Sequence, residues 1–331
     1  MDLTTLTDTS GALAHPVVRT VAVAAASGIA IGLLASVVLA PRKPALARDI
    51  RVRTLTWIVL ALITIVPVVA MRLSAILLFG LLSLLCYREF ARATGLFRWR
   101  LVSAIVAAGI VAVTFANLDH NPSALTLLVA VVPVSIIALS VLQDTPAGYI
   151  QRCALGVSAF FLFGMGMGRL GALTAEPQYR AVLCTIIFSC QFSDVAAYCC
   201  GKSIRSRHLF PSTSPNKTLA GHLGALLIIV PMAAVLYHVS FKGTPLEAWR
   251  HCVTLGVLTA ALAQLGDLVI SSVKRDLGIK DMGGDLPGHG GVLDRCNSLL
   301  LAAPAVYHYI TSVQGTSTAV PVRLITSTLL P

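Results

Sequence analysis

The sequence predicts an all-α fold: a polytopic transmembrane bundle of about nine or ten membrane helices, with polar loops facing the cytoplasm and forming the functional site. Three observations predict it. The 331 residues are 56% hydrophobic and only 12% charged, with a mean hydropathy of +0.83, whereas an ordinary soluble domain is about one quarter charged. Apolar runs long enough to cross a bilayer recur along the chain. Late in the chain two long polar stretches, 201 to 221 and 274 to 297, interrupt them.

The apolar runs lie, in order, near 17–40, 54–71, 73–87, 101–117, 123–142, 153–173, 180–199, 222–240, 251–273 and 298–313. Ahead of the first stand Asp2 and Asp8, and no Lys or Arg precedes Arg19. A secretory signal peptide opens on a basic segment, so the first run is expected to be retained as a helix. Runs 73–87 and 298–313 sit at or below the usual minimum of about 17 residues and are the weakest candidates for full spans. The chain divides into an N-terminal helix and basic loop (1–50), a block of membrane helices (51–190), a region rich in polar constellations (191–313) and a tail (314–331).

The net charge of +11 reads as topology rather than nucleic-acid binding. No basic tract is interleaved with aromatic residues, the pattern that single-stranded nucleic acid requires. With 41–53 placed in the cytoplasm, the loops on that side hold five Lys and Arg there, four in 88–100, Arg152, four in 201–221 and four in 274–297, 18 of the 25. Basic residues collect in cytoplasmic loops, so both termini are expected outside and both long polar loops inside. The eight cysteines form no C-x-x-C pair and are expected as free, mostly buried thiols. Small-xxx-small spacing in GIAIG (28–32) and FGMGMGRLG (163–171) suits close helix packing within one chain, with a homodimer as the alternative.

Asp194 and Asp267 lie inside otherwise apolar helices. An aspartate at a helix centre costs about 2.5–3.5 kcal/mol on insertion scales, so such residues mark function or a pairing partner. At 100° per residue, Gln264, Asp267, Ser271 and Lys274 share one arc, and Asp194, Tyr198 and Gly201 share another. Each polar stripe runs into one of the polar loops. In the loop after Asp194, Gly201-Lys202-Ser203 is not a P-loop, because Ala196 stands where the first glycine belongs. Lys202, Arg205, Arg207, His208 and Lys217 around Ser214-Pro215 supply donors suited to phosphate groups.

The second loop, KDMGGDLPGHGGVLDRCN (280–297), mixes Asp281, Asp285 and Asp294 with Lys280, His289 and Arg295. Gly283, Gly284, Gly288, Gly290 and Gly291 allow backbone to approach a ligand. Hard carboxylate oxygens beside cations suit Mg²⁺ shared with substrate phosphates better than a bare anion.

The stretch Ser271-x-Val273-Lys274-Arg275, Lys280-Asp281-x-Gly283, Leu286-Pro287-x-His289-Gly290-Gly291-Val292-x-Asp294-Arg295 resembles the signature of the phosphatidate cytidylyltransferase (CDP-diacylglycerol synthase) family. Asp194 with Ala197-Tyr198, Ser214-Pro215-x-Lys217-Thr218 and Gly266-Asp267-Leu268 fit the same resemblance, which is strong over 191–297 and extends loosely back to about residue 50. Two departures are Cys296-Asn297, where the family pattern has an aliphatic residue or threonine followed by Asp, and Ala220, where it has Glu.

The compact length of the chain points to a bacterial inner membrane, and the resemblance implies an integral membrane enzyme. It would join CTP to phosphatidic acid, releasing pyrophosphate and forming CDP-diacylglycerol, with Mg²⁺ and room for a second cation. It implies Asp267 and Asp294 as metal ligands, with Asp194 and Asn297 in a second or outer position. Lys274, Arg275, Lys280 and Arg295 would hold phosphates, with Asp281 and His289 among the catalytic residues. Tyr198, Ser214, Lys217, Thr218, Ser271, Gly290 and Gly291 would line the substrates. Alternatives are a CTP-dependent lipid or polyprenol kinase, a divergent relative acting on another lipid phosphate, a catalytically inactive relative serving as a lipid-binding partner, and an ion-coupled transporter using intramembrane aspartates.

Overall fold

The computed structural model describes residues 4–9, 11–286, 290–316 and 323–326. After a single turn, α1 (Thr4–Thr7), come α2 (Pro16–Leu39), α3 (Pro44–Ala70), α4 (Arg72–Ala93), α5 (Arg100–Leu118) and α6 (Pro122–Ser140). The next rod is composite, with α7 (Tyr149–Ala159), a wide-turned π segment (Phe160–Met167) and α8 (Gly168–Ala172). Then follow α9 (Tyr179–Ser203), a hairpin of β1 (His208–Phe210) and β2 (Ser214–Thr218), α10 (Leu219–Ser240), α11 (Trp249–Asp276), the short α12 (Val292–Cys296) and α13 (Leu299–Gln314).

Among the described residues nine helices are long and apolar enough to cross a membrane, and the protein is an integral membrane protein. All ten apolar runs are helical. The tenth, α13, has 16 residues and rises only about 24 Å, short of the ~30 Å hydrocarbon core. Run 73–87 is extended by charged turns into a helix of 22 residues.

Two expectations need correction. The basic segment 41–53 is not a loop: α3 starts at Pro44, and Arg48, Arg51 and Arg53 ride on its first turns, where Arg53 pairs with Asp49 at 3.0 Å. A proline at the first helical position is preorganised for helix, which is why the chain turns helical before it turns apolar. Likewise Arg88 and Arg92, expected in the loop 88–100, belong to α4. The loop 201–221 holds a short antiparallel pairing of His208 with Thr218 and Phe210 with Ser214 in a fold that is otherwise helical.

Helices α2 and α3 are peripheral and largely exposed, while α4, the α7–α8 rod, α9 and α13 form the packed centre. There the small residues of FGMGMGRLG bring backbones together. A side chain at Gly166 would stand 2.7 Å from the Leu300 carbonyl, so this motif serves packing within the chain. The C-terminal ends of α4, α9 and α11 and the N-terminal ends of α10 and α13 meet at one end of the bundle. Both polar loops lie there.

Candidate active site

Antiparallel packing of α9, α10 and α11 sets Asp194, Lys217 and Asp267 near one another, although 73 positions separate the two aspartates. The hairpin folds back over the bundle end, with the Leu219 N–H donating to the Arg207 carbonyl at 3.0 Å. That return carries Lys217 into an ion pair with Asp267. Gly266 lets α11 lie directly against the turn that follows α12, since a Cβ there would come within 2.5 Å of the Asn297 carbonyl oxygen.

Asn297 reaches Asp267 from that turn, its amide Nδ2 donating to Asp267 Oδ1 at 2.6 Å. The amide orientation is fixed by its other end, because Asn297 Oδ1 accepts the Ser298 N–H at 2.8 Å. Asn297 therefore presents a donor, not an oxygen, to the aspartate. Asp194, exposed on α9, completes the group within electrostatic reach of Asp267, Lys217 and Arg295. Arg295 lies against α9, where Gln191 Nε2 donates to its carbonyl at 3.0 Å. Its side-chain Nε is buried with no acceptor among the described residues.

A second carboxylate group sits beside the first. Asp294 is buried, with Oδ1 receiving Lys274 Nζ at 2.8 Å and Oδ2 receiving the N–H groups of Met282 (2.9 Å) and Gly291 (3.0 Å). Both oxygens are thus engaged by the protein, and Asp294 ties the loop to α11 as it caps α12. Arg275 turns towards the hairpin, donating from Nε to the Thr213 carbonyl and from Nη1 to that of Ile279, each at 3.2 Å.

The remaining expected residues scatter. Lys280 and Asp281 are exposed and Ser271 is buried on α11. The Tyr198 hydroxyl accepts from Lys202 Nζ at 3.1 Å. Thr218 caps α10, its Oγ1 accepting the Gly221 N–H at 3.2 Å. Ser214 begins β2. Gly290 needs its left-handed φ of +77°, and Gly291 packs on a carboxylate from α4. His289, with Pro287 and Gly288, lies outside the described residues.

That α4 carboxylate is Glu89, which the sequence did not single out. Its Oε1 accepts the Val292 N–H at 2.8 Å and its Oε2 that of Leu293 at 2.9 Å. The neighbouring Arg88 Nη1 meets Asp285 Oδ2 at 3.5 Å. In sequence an Arg-Glu pair at the end of an apolar run looks like an ordinary interfacial helix end, and nothing local points 203 residues ahead.

Among the described residues no three His, Cys, Asp or Glu side chains gather as a closed metal cage. The donors present are carboxylate oxygens, Asp267 and Asp194, with a lysine ammonium against one of them. Such a set suits Mg²⁺, which takes one or two carboxylates and completes its shell with water and substrate phosphates.

The fold and site define a polytopic membrane protein that gathers carboxylates and cations at one end of its bundle. The model of the cytidylyltransferase family matches residues 51–313. The phosphatidate cytidylyltransferase of Staphylococcus aureus (strain COL) is 31% identical over 261 residues, 77% of this chain and 96% of that protein. That of Bacillus subtilis (strain 168) is 38% identical over 129 residues, which is 39% of this chain and 46% of that protein. An uncharacterised protein of Escherichia coli (strain K12) is 39% identical over 118 residues, 38% of its length. The chain spans less than half of the Bacillus and Escherichia relatives it matches and nearly all of the staphylococcal one. The chain belongs to the cytidylyltransferase family, which places it among nucleotidyltransferases.

Proposed function

We propose that this protein is a Mg²⁺-dependent phosphatidate cytidylyltransferase of the bacterial inner membrane, its site facing the cytoplasm, that converts CTP and phosphatidic acid to CDP-diacylglycerol and pyrophosphate. The observation that carries the reading is the pairing of Lys217 with Asp267 and of Lys274 with Asp294 in one cluster, within a chain of this family. The S. aureus and B. subtilis relatives are phosphatidate cytidylyltransferases by name.

A phosphate oxygen of phosphatidic acid attacks the α-phosphorus of CTP, the bond to the β-phosphate oxygen breaks, and pyrophosphate leaves with that electron pair. The nucleophile is already anionic, so the protein need not supply a general base. Catalysis becomes positioning and charge stabilisation. Asp267 and Asp194 would hold Mg²⁺, which when bound neutralises the charge of the triphosphate. Arg295, whose buried Nε lacks an acceptor among the described residues, is available to a substrate phosphate. Exposed Lys280 and the Lys217 ammonium add positive charge. Lys274 and Asp294 hold the loop between them. Acyl chains would enter between helices from the bilayer, and the excess of basic residues at this end favours a cytoplasmic site.

The test is pyrophosphate release by the purified protein in detergent with Mg²⁺ and CTP. It should depend on added phosphatidic acid and vanish in Asp267→Ala protein that still purifies and melts normally. Release without phosphatidic acid, or full activity in Asp267→Ala, would remove the assignment.

A further inference from the structure

We propose that Glu89 is a positioning residue: it anchors Gly283, Gly291 and α12 to α4 and so holds Asp294 and Asn297 in register with Asp267. The catalytic consequence rests on the cytidylyl-transfer reading; the anchoring itself does not.

Glu89 is an unfavourable residue where it stands. It is 3% exposed and lies four residues from the end of α4, where a carboxylate meets the negative end of the helix dipole. A buried carboxylate without partners is costly, and among the described residues no Lys or Arg is in salt-bridge contact with it. What meets it instead are two backbone N–H groups, one per oxygen, from Val292 and Leu293. These belong to the first turn of α12, whose N–H groups have no carbonyl of their own helix to bond. Glu89 is therefore a helix cap delivered from another helix, and its two-pronged grip fixes orientation as well as distance.

The loop is shaped to receive this carboxylate. A Cβ at Gly283 would stand 2.8 Å from Glu89 Oε1, and one at Gly291 would overlap Oε2. Two signature glycines are thus accounted for by a protein carboxylate packed between them. The same end of α4 touches the loop region twice more, through Arg88 on Asp285 and through Cys86 on Cys296. Asp294 and Asn297 follow within six positions of Gly291, so slack in the Glu89 grip moves both relative to Asp267.

The experiment uses full-length protein in detergent and the variants Glu89→Gln, Glu89→Asp and Gly291→Ala. Glutamine keeps the shape but turns an amide NH₂ on one of the two backbone donors. Trypsin cleavage after exposed Lys280 reports the loop directly, and kcat and KM for CTP report the site. Glu89→Gln should speed cleavage after Lys280 and lower kcat/KM about ten- to a hundred-fold, the worth of one charged hydrogen bond, with the fall mainly in kcat. Glu89→Asp should recover part of both. Gly291→Ala should behave like Glu89→Gln, and the double variant should be no worse than either, because both break one contact. Unchanged cleavage after Lys280 would overturn the anchoring. Faster cleavage with unchanged kcat/KM would overturn the positioning role. Wild-type protein without cytidylyl transfer would defeat the functional reading, and the protease measurement would still decide the anchoring.

Discussion

Replacing Asn297 by aspartate restores the residue of the family pattern and changes the most distinctive contact of the site. Asn297 Nδ2 donates to Asp267 Oδ1 at 2.6 Å, and the Ser298 N–H holds the other end of the amide. An aspartate keeps the bond from Ser298 but sets a second carboxylate against Asp267. Loss of a hydrogen bond to a charged group costs about 1.5–3 kcal/mol. Two full charges at this separation would repel by up to about 6 kcal/mol at an effective dielectric constant near 20, which relaxation or proton uptake would reduce. The smaller figure alone lowers the melting temperature by about 2–4 °C in EDTA for a chain of this length. A divalent cation reverses the sign, because it binds the pair of carboxylates in the folded state only. The assay is thermal unfolding of wild type and Asn297→Asp in detergent, in EDTA and across a Mg²⁺ titration. The variant should melt lower in EDTA and gain more from Mg²⁺ than wild type does. Identical melting of the two proteins in EDTA would refute the Asn297–Asp267 contact and the reasoning built on it.

Lys274→Met removes the partner of a carboxylate with a 3% exposed side chain, so it should cost about 3–5 kcal/mol of stability, as broken buried pairs do, seen as lower melting with near-complete loss of turnover. Gly266→Ala places a methyl 2.5 Å from the Asn297 carbonyl; α11 and the turn must separate, and kcat/KM should fall at least about ten-fold, on the scale of a small misplacement in a site, while insertion and yield stay normal. Far from the site, Glu176 is buried between the α7–α8 rod and α9, and burial pushes its carboxyl up to about 7. The folded state then holds a proton that the unfolded state releases near 4.5, so stability falls as pH rises from about 4.5 to 7, by no more than about 3 kcal/mol. Glu176→Gln should abolish that slope in pH-dependent melting. His120, held down to about 4 by burial, acts in the opposite sense below about 6.5 and should persist in the variant.

Apolar runs made the helices legible, because a membrane segment must satisfy its own backbone and shield it with apolar side chains. They mark only the lipid-facing part of each helix, so the charged turns of α3 and α4 were read as loops although they continue the helices. The intramembrane aspartates were legible for the same reason, being expensive where they stand. Lys217 was visible as a cation in a polar loop, but its pairing with Asp267 depends on a hairpin that no apolar alternation announces. Asp294 was visible as an acid, whereas its three donors, Lys274 and the N–H groups of Met282 and Gly291, come from the folded path of the loop. Glu89 was invisible, since its partners lie more than 200 positions away.

One measurement bears most directly on the central claim: purified protein with Mg²⁺ and phosphatidic acid, given CTP labelled either at the α- or at the γ-phosphate, with label counted in the extracted lipid. Cytidylyl transfer predicts α-label in the lipid and γ-label in released pyrophosphate, both lost in Asp267→Ala. Label reaching the lipid from the γ-position would make the protein a CTP-dependent lipid kinase and contradict the account.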